Sequence, residues 1–291
     1  MAKVVAIHGI AQEYKASSVL KSEWLPHLKG GVELAGGPSI QDTDVVFPFY
    51  GDLFRPEGHK SGGVPYYAAN DVQSEMEQEL LLAWWEEAAR IDPNVQGPDE
   101  PGKSGKTLFL RNIVGPALAA LSGSSFFVGL ADRAMVFLLK QVYAYFHDEG
   151  IRAEIQRRVA ESVGPDTRLI IGHSLGSVAA YEALCAHREW PVKGLVTLGS
   201  PLGIKNLIFE RLRPAPRMNG VGHWPHVTAW TNVADKADIV ALQRELWNCF
   251  GDPLKDVLID NGAKPHYVGP YLTAKETGTA IAKTLAAAEA T

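Results

Sequence analysis

Short, almost wholly apolar runs alternate along much of this chain with segments whose hydrophobic residues recur every fourth position. Three runs, "KVVAI" at 3–7, "DVVFPFY" at 44–50 and "RLII" at 168–171, are β-branched and apolar at nearly every step. That is the pattern of strands buried on both faces of a parallel sheet. Three more follow: "VKGLVTLGS" at 192–200, "HVTAWTNV" at 226–233 and "KDVLID" at 255–260. Between them Ile151, Ile155, Val159 and Val163 mark one helix face, closed by Gly164 as a C-terminal cap. Strand followed by helix, repeated, predicts an α/β fold: a mostly parallel sheet wrapped by helices.

The alternation stops between residues 51 and 147. Its first stretch is loop-like, and Val72, Met76, Leu80, Trp84 and Ala88 then define a helix face with Asn70 or Asp71 expected as its cap. A polar linker at 92–106 leads into the most apolar part of the chain, 107–146. A membrane span needs about 20 predominantly apolar residues. Arg111, Pro116 and the serines at 122–125 interrupt one candidate, and Asp132, Arg133 and Lys140 the other. The expected organisation is therefore a core of 1–50 and 148–291 with 51–147 as a largely helical cap or lid insertion. Phe126, Phe127, Val136, Phe137 and Leu138 give that insertion a greasy character, which suits lipid or other acyl ester substrates and equally suits a buried helix pair.

Charge narrows the partners. The 28 basic and 33 acidic residues of this 291-residue chain are interspersed and leave a net charge of -5, so neither nucleic acid nor anionic lipid finds a basic face. Two cysteines, Cys185 and Cys249, read as buried thiols of a reducing compartment. The N-terminus "MAKVVAIHGIAQEY" carries no secretory pattern, and a cytoplasmic location is the expectation. No metal or organic cofactor is expected, because HExxH, paired CxxC and phosphate-binding glycine motifs are lacking.

The chemistry gathers at "LIIGHSLGSVAAY", residues 169–181. Gly172, His173, Ser174, Leu175 and Gly176 form a GxSxG between a strand pattern and a small-residue helix pattern, the setting of a nucleophile elbow. A serine hydroxyl needs a general base, and the base needs an orienting acid. In chain order serine, acid, histidine, only His266 lies beyond all the later strands, in a loop before the C-terminal helix. Asp238, at a helix start where backbone N–H groups keep a carboxylate ionised, is favoured as the acid over Asp235, a turn residue three positions earlier. Oxyanion donors are expected from the backbone N–H of Leu175 and, in the turn made by His8 and Gly9, of Ile10.

Taken together, "AIHGIAQ" at 6–12, "IGHSLGSVAAYEAL" at 171–184, "VTLGSPLGI" at 196–204, "TNVADKADIVA" at 231–241 and "HYVGPYL" at 266–272 resemble the α/β-hydrolase superfamily, in its lipase-like branch with PGAP1-type serine esterases. The resemblance frames the chain apart from 51–147. It implies a Ser174, Asp238, His266 triad, oxyanion donors at Ile10 and Leu175, and a substrate pocket touched by His8, Gly9, His173, Pro201 and Leu202. Two departures stand out: the chain opens on what the family counts as its third strand, and the insertion is long. The implied activity is cleavage of carboxylic esters, with acyl transfer, thioester or amide cleavage by the same triad as the alternative and a non-catalytic scaffold as the third reading. Oligomeric state is not written in the sequence.

Overall fold

A computed structural model describes residues 2–55, 66–98, 106–124, 126–127 and 132–289. The chain divides into two compact units, Met1–Leu53 with Arg152–Thr291, and Phe54–Ile151.

The first unit is built on a six-stranded sheet in which every neighbouring pair is parallel. In chain order it holds β1 (Val4–Ile7), α1 (Ser17–Leu34) and β2 (Val45–Val46). The second unit contributes α2 (Glu75–Ile91), α3 (Lys106–Ser122) and α4 (Asp132–His147), and α5 (Glu149–Ser162) runs across the boundary into the first. Then come β3 (Leu169–His173), α6 (Leu175–Ala186), β4 (Gly194–Leu198), β5 (Ala229–Asp235), α7 (Trp247–Phe250), β6 (Lys255–Ile259), α8 (Val268–Thr273) and α9 (Lys275–Glu289). The strand order is β2-β1-β3-β4-β5-β6.

The fully apolar strands are buried on both faces, as their composition requires. Val4 and Ala6 of β1, Leu169 and Ile171 of β3, Val196 and Leu198 of β4 and Val233 of β5 share one core with α1, α8 and α9. The alternate residues Val5, Ile7 and Ile170 face the other way and are equally buried. β2 is the one strand far shorter than its sequence pattern: Pro48 has no N–H for a ladder, and pairing ends at Val46.

In the second unit Val72, Met76, Leu80, Trp84 and Ala88 are all buried, as the four-residue spacing predicts. The cap differs. Ser74, rather than Asn70 or Asp71, closes the α2 N-terminus in a capping box with Glu77, while Asn70 and Asp71 sit in a short 3-10 turn. The apolar stretch 107–146 contributes α3 and α4, and no described helix is long and apolar enough to cross a membrane. Residues 56–65 of the loop-like stretch, 99–105 of the linker and Ser125 lie outside the described residues. Cys249 is buried, but Cys185 is only half-buried, and both are free thiols.

Candidate active site

After β1 the chain moves to β2 on one side and then crosses back to β3 on the other, so the strand order reverses between β1 and β3. In parallel sheets a crevice opens at the carboxyl ends of the strands where this reversal occurs. Ile7 pairs with Gly172 there, which sets His8 and Gly9 beside His173 and Ser174 despite more than 160 residues between them.

Ser174 stands between β3 and α6 with φ 54° and ψ -131°, a conformation that a non-glycine residue holds at a cost of about 1–3 kcal/mol. Its neighbours keep it there. The Ser174 N–H donates to Leu198 O at 3.0 Å, and its carbonyl accepts the Ser177 hydroxyl at 2.6 Å. Ser177 Oγ in turn lies 2.7 Å from Ser200 Oγ, which accepts the Leu202 N–H at 3.2 Å. Pro201 and Leu202 are buried, and this hydroxyl relay ties their turn to the elbow. Glycine at 176 is obligatory on steric grounds: a Cβ there would meet the backbone oxygens of Ile7 and His8 at 2.4 Å. Leu175 opens α6, where backbone N–H groups lack intrahelical acceptors.

Asp238 and His266 meet across 28 residues of sequence, with His266 Nδ1 2.7 Å from Asp238 Oδ2. An ionised carboxylate only accepts, so Nδ1 carries the hydrogen and Nε2 keeps its lone pair. Asp238 is fully buried, whereas the His266 side chain is 22% exposed. Burial works against the Asp238 charge, but the His266 imidazole, the Val240 N–H and the Tyr271 hydroxyl more than offset it and hold the carboxyl below the usual range. Asp235 does not join this pair. Its carboxylate accepts the N–H groups of Ala237 and Asn261, and it is the turn residue that links the β5 and β6 ends.

The two histidines of the turns are neutral and structural in their bonding. His8 Nε2 accepts the Tyr50 N–H at 3.1 Å, so Nδ1 donates to Gly9 O at 2.6 Å. The Tyr50 hydroxyl bonds the His8 carbonyl, and burial lowers the His8 pKa to about 4. His173 is buried, its Nε2 lies 3.0 Å from the His266 carbonyl, and the two rings are 4.8 Å apart. Burial, with His266 next to it, lowers its pKa to about 3, so Nε2–H donates to that carbonyl and anchors the base loop. Gly9 faces the serine: a Cβ built on it would be 2.7 Å from Ser174 Cβ. Ile10, half-buried, follows Gly9 and precedes Ala11, whose φ of 63° turns the loop.

Two residues of this cluster lie within the quoted segments "VTLGSPLGI" and "HYVGPYL" but were given no role there. Gly199, at φ 52°, leaves no room for a side chain, since a Cβ would approach Asp238 Oδ2 at 2.7 Å, His266 Nδ1 at 3.1 Å and Tyr271 Cε2 at 3.2 Å. Tyr271 places its hydroxyl 2.8 Å from Asp238 Oδ2. Among the described residues no group of three or more His, Cys, Asp or Glu side chains is arranged to hold a metal ion.

No family model and no curated protein matches this chain. Among solved structures, the esterase domain from a Rhodothermus marinus protein is similar over 48% of this chain and 67% of that one, at 18% identity and a TM-score of 0.30. At that identity and TM-score the likeness assigns this chain neither a family nor an activity, and it does not reach the narrower resemblance to PGAP1-type esterases.

Proposed function

We propose that this protein is a serine hydrolase that cleaves carboxylic esters through an acyl-enzyme, with Ser174 as nucleophile, His266 as general base and acid, and Asp238 as the orienting acid. The observation that carries the reading is the Asp238–His266 hydrogen bond, which leaves Nε2 as the acceptor nitrogen in the loop anchored by the residue before a strained Ser174. Ser174 Oγ attacks the ester carbonyl carbon as His266 Nε2 takes its proton. The oxyanion is held by the N–H groups of Leu175 and Ile10, each such donor contributing roughly 3 to 4 kcal/mol to the transition state. Collapse breaks the bond to the alcohol oxygen, which receives the proton from His266. Water then attacks the acyl-enzyme under the same base, releasing the acid and free Ser174.

A fluorophosphonate probe tests this directly. Folded wild-type protein is expected to be labelled at Ser174 and Ser174→Ala not at all. Unlabelled wild type, or equal labelling of a folded Ser174→Ala, overturns the reading. A panel of aryl esters of rising acyl length then tests the lipid-ester expectation: kcat/KM climbing with chain length supports it, and loss beyond short chains confines the enzyme to small esters.

A further inference from the structure

The Tyr271 hydroxyl occupies a place that a purely packing residue does not need. It donates to Asp238 Oδ2 at 2.8 Å, the same oxygen that meets His266 Nδ1 at 2.7 Å. It accepts the Asp235 N–H, also at 2.8 Å. The phenol is fully buried, and α8, which carries it, begins two residues after His266. One side chain on the base's own segment therefore ties down both ends of the acid's loop, at Asp235 and Asp238. The Asp235 N–H fixes the direction of the phenol hydrogen: with the oxygen lone pair taken by that donor, the O–H points at the carboxylate. Gly199 closes the arrangement, since a Cβ there would run into Asp238, His266 and Tyr271 at once.

We propose that Tyr271 is a positioning residue for the reaction, fixing the Asp238 carboxylate and setting how much negative charge it presents to His266. The proposal rests on the reading of Asp238 and His266 as acid and base. Its physical content is a balance on one oxygen. A hydrogen bond donated to Oδ2 draws charge away from the face that meets Nδ1–H, and removing that donor leaves more charge there. Burial, with Asp238 alongside, holds the phenol protonated far above its ordinary range, so it remains a donor throughout the working pH range. The other titratable or charged groups against the pair are His173 on β3, Asp235 at the end of β5, and Arg244, whose guanidinium donates to the carbonyls of Asp235 and Asp238.

NMR titration of the His266 ring protons reads this without depending on activity. In Tyr271→Phe the midpoint is expected to move to higher pH by about half a unit or more, because the imidazolium faces a less shielded carboxylate. Labelling of Ser174 by the fluorophosphonate is expected to slow in the same variant. Phenylalanine also strands the Asp235 N–H, so 3-fluorotyrosine at 271 supplies a variant that keeps both bonds. Its stronger donation is expected to move the midpoint the opposite way. The same midpoint in wild type and both variants overturns the proposal. A shifted midpoint in a protein whose Ser174 is never labelled keeps Tyr271 in its role toward Asp238 and overturns the nucleophile reading instead.

Discussion

Asp235 and Asp238 show how much a single residue's surroundings decide. Both are acidic, buried and three residues apart, yet one spends its carboxylate on the backbone of its own turn and on Asn261, and the other on His266. Asp238→Asn is expected to lower kcat by roughly 10⁴, the scale of losing the correct imidazole tautomer. Asp235→Asn should keep activity within a few-fold while lowering unfolding free energy by about 1 kcal/mol, measured by urea titration; a reversal of the two effects would transfer the acid role. Gly199→Ala places a methyl 2.7 Å from Asp238 Oδ2 at a φ of 52°. Its expected signature is Ser174 labelling slowed about tenfold or more by displacement of the pair, in a protein with unchanged circular dichroism. Ser174, Asp238 and His266 could be singled out as candidates because a motif and a chain order exist for them, with Asp235 standing as the alternative acid. Gly199 and Tyr271 were not, since a glycine after a strand and a tyrosine on a short helix have many uses, and only three-dimensional neighbours distinguish them.

Strands and helices were legible to differing depths. β1, β3 and β4 follow their apolar runs closely because both faces are buried and nothing interrupts the ladder, whereas β6, the edge strand with no buried residue, holds its place by pairing with β5. β2 stops short because one proline removes a donor, and α2 is capped by Ser74 because the capping box supplies two reciprocal bonds there, whereas the Asp71 carboxylate accepts the Ala68 N–H of its own 3-10 turn. The α5 pattern marked Ile155 and Val159 correctly but missed Arg152, a charged residue buried on the same helix. Arg152 Nε reaches Glu182 of α6 at 3.0 Å, a second guanidinium nitrogen meets the other carboxylate oxygen, and Glu182 also accepts the Arg213 N–H. Side chains 4% and 3% exposed leave no water to replace a lost partner. Glu182→Leu is expected to cost about 3–5 kcal/mol, and the paired Arg152→Met, Glu182→Leu substitution to recover most of it. Chemical denaturation checks both, and equal stability of single and double variants would contradict the burial argument.

At the scale of the whole molecule the site is also a liability in acid. His8 and His173 are held neutral, with pKa values near 4 and 3 against an ordinary 6.5, chiefly by burial. The unfolded chain therefore binds protons that the folded one refuses. Stability is full above about pH 6.5 and falls as pH drops toward the folded values, by about 1.4 kcal/mol per pH unit for each group. Urea unfolding at pH 7 and pH 5 should differ by about 2 to 4 kcal/mol, and a flat profile would mean the imidazoles are not held neutral. The sequence by itself determined what periodicity and local chemistry encode: a parallel α/β sheet, a strand–serine–helix turn, and an acid and a histidine in order behind it. The tertiary structure added the contact itself, between His266 and the favoured Asp238, the buried bonds by which His8 and His173 hold loops, and the crowding of Tyr271 and Gly199 around the pair. The physical reason is that hydrogen bonds across β1, β3, β4, β5 and α8 join residues up to 165 positions apart, and register and side-chain direction across that distance are set by packing rather than by any local pattern.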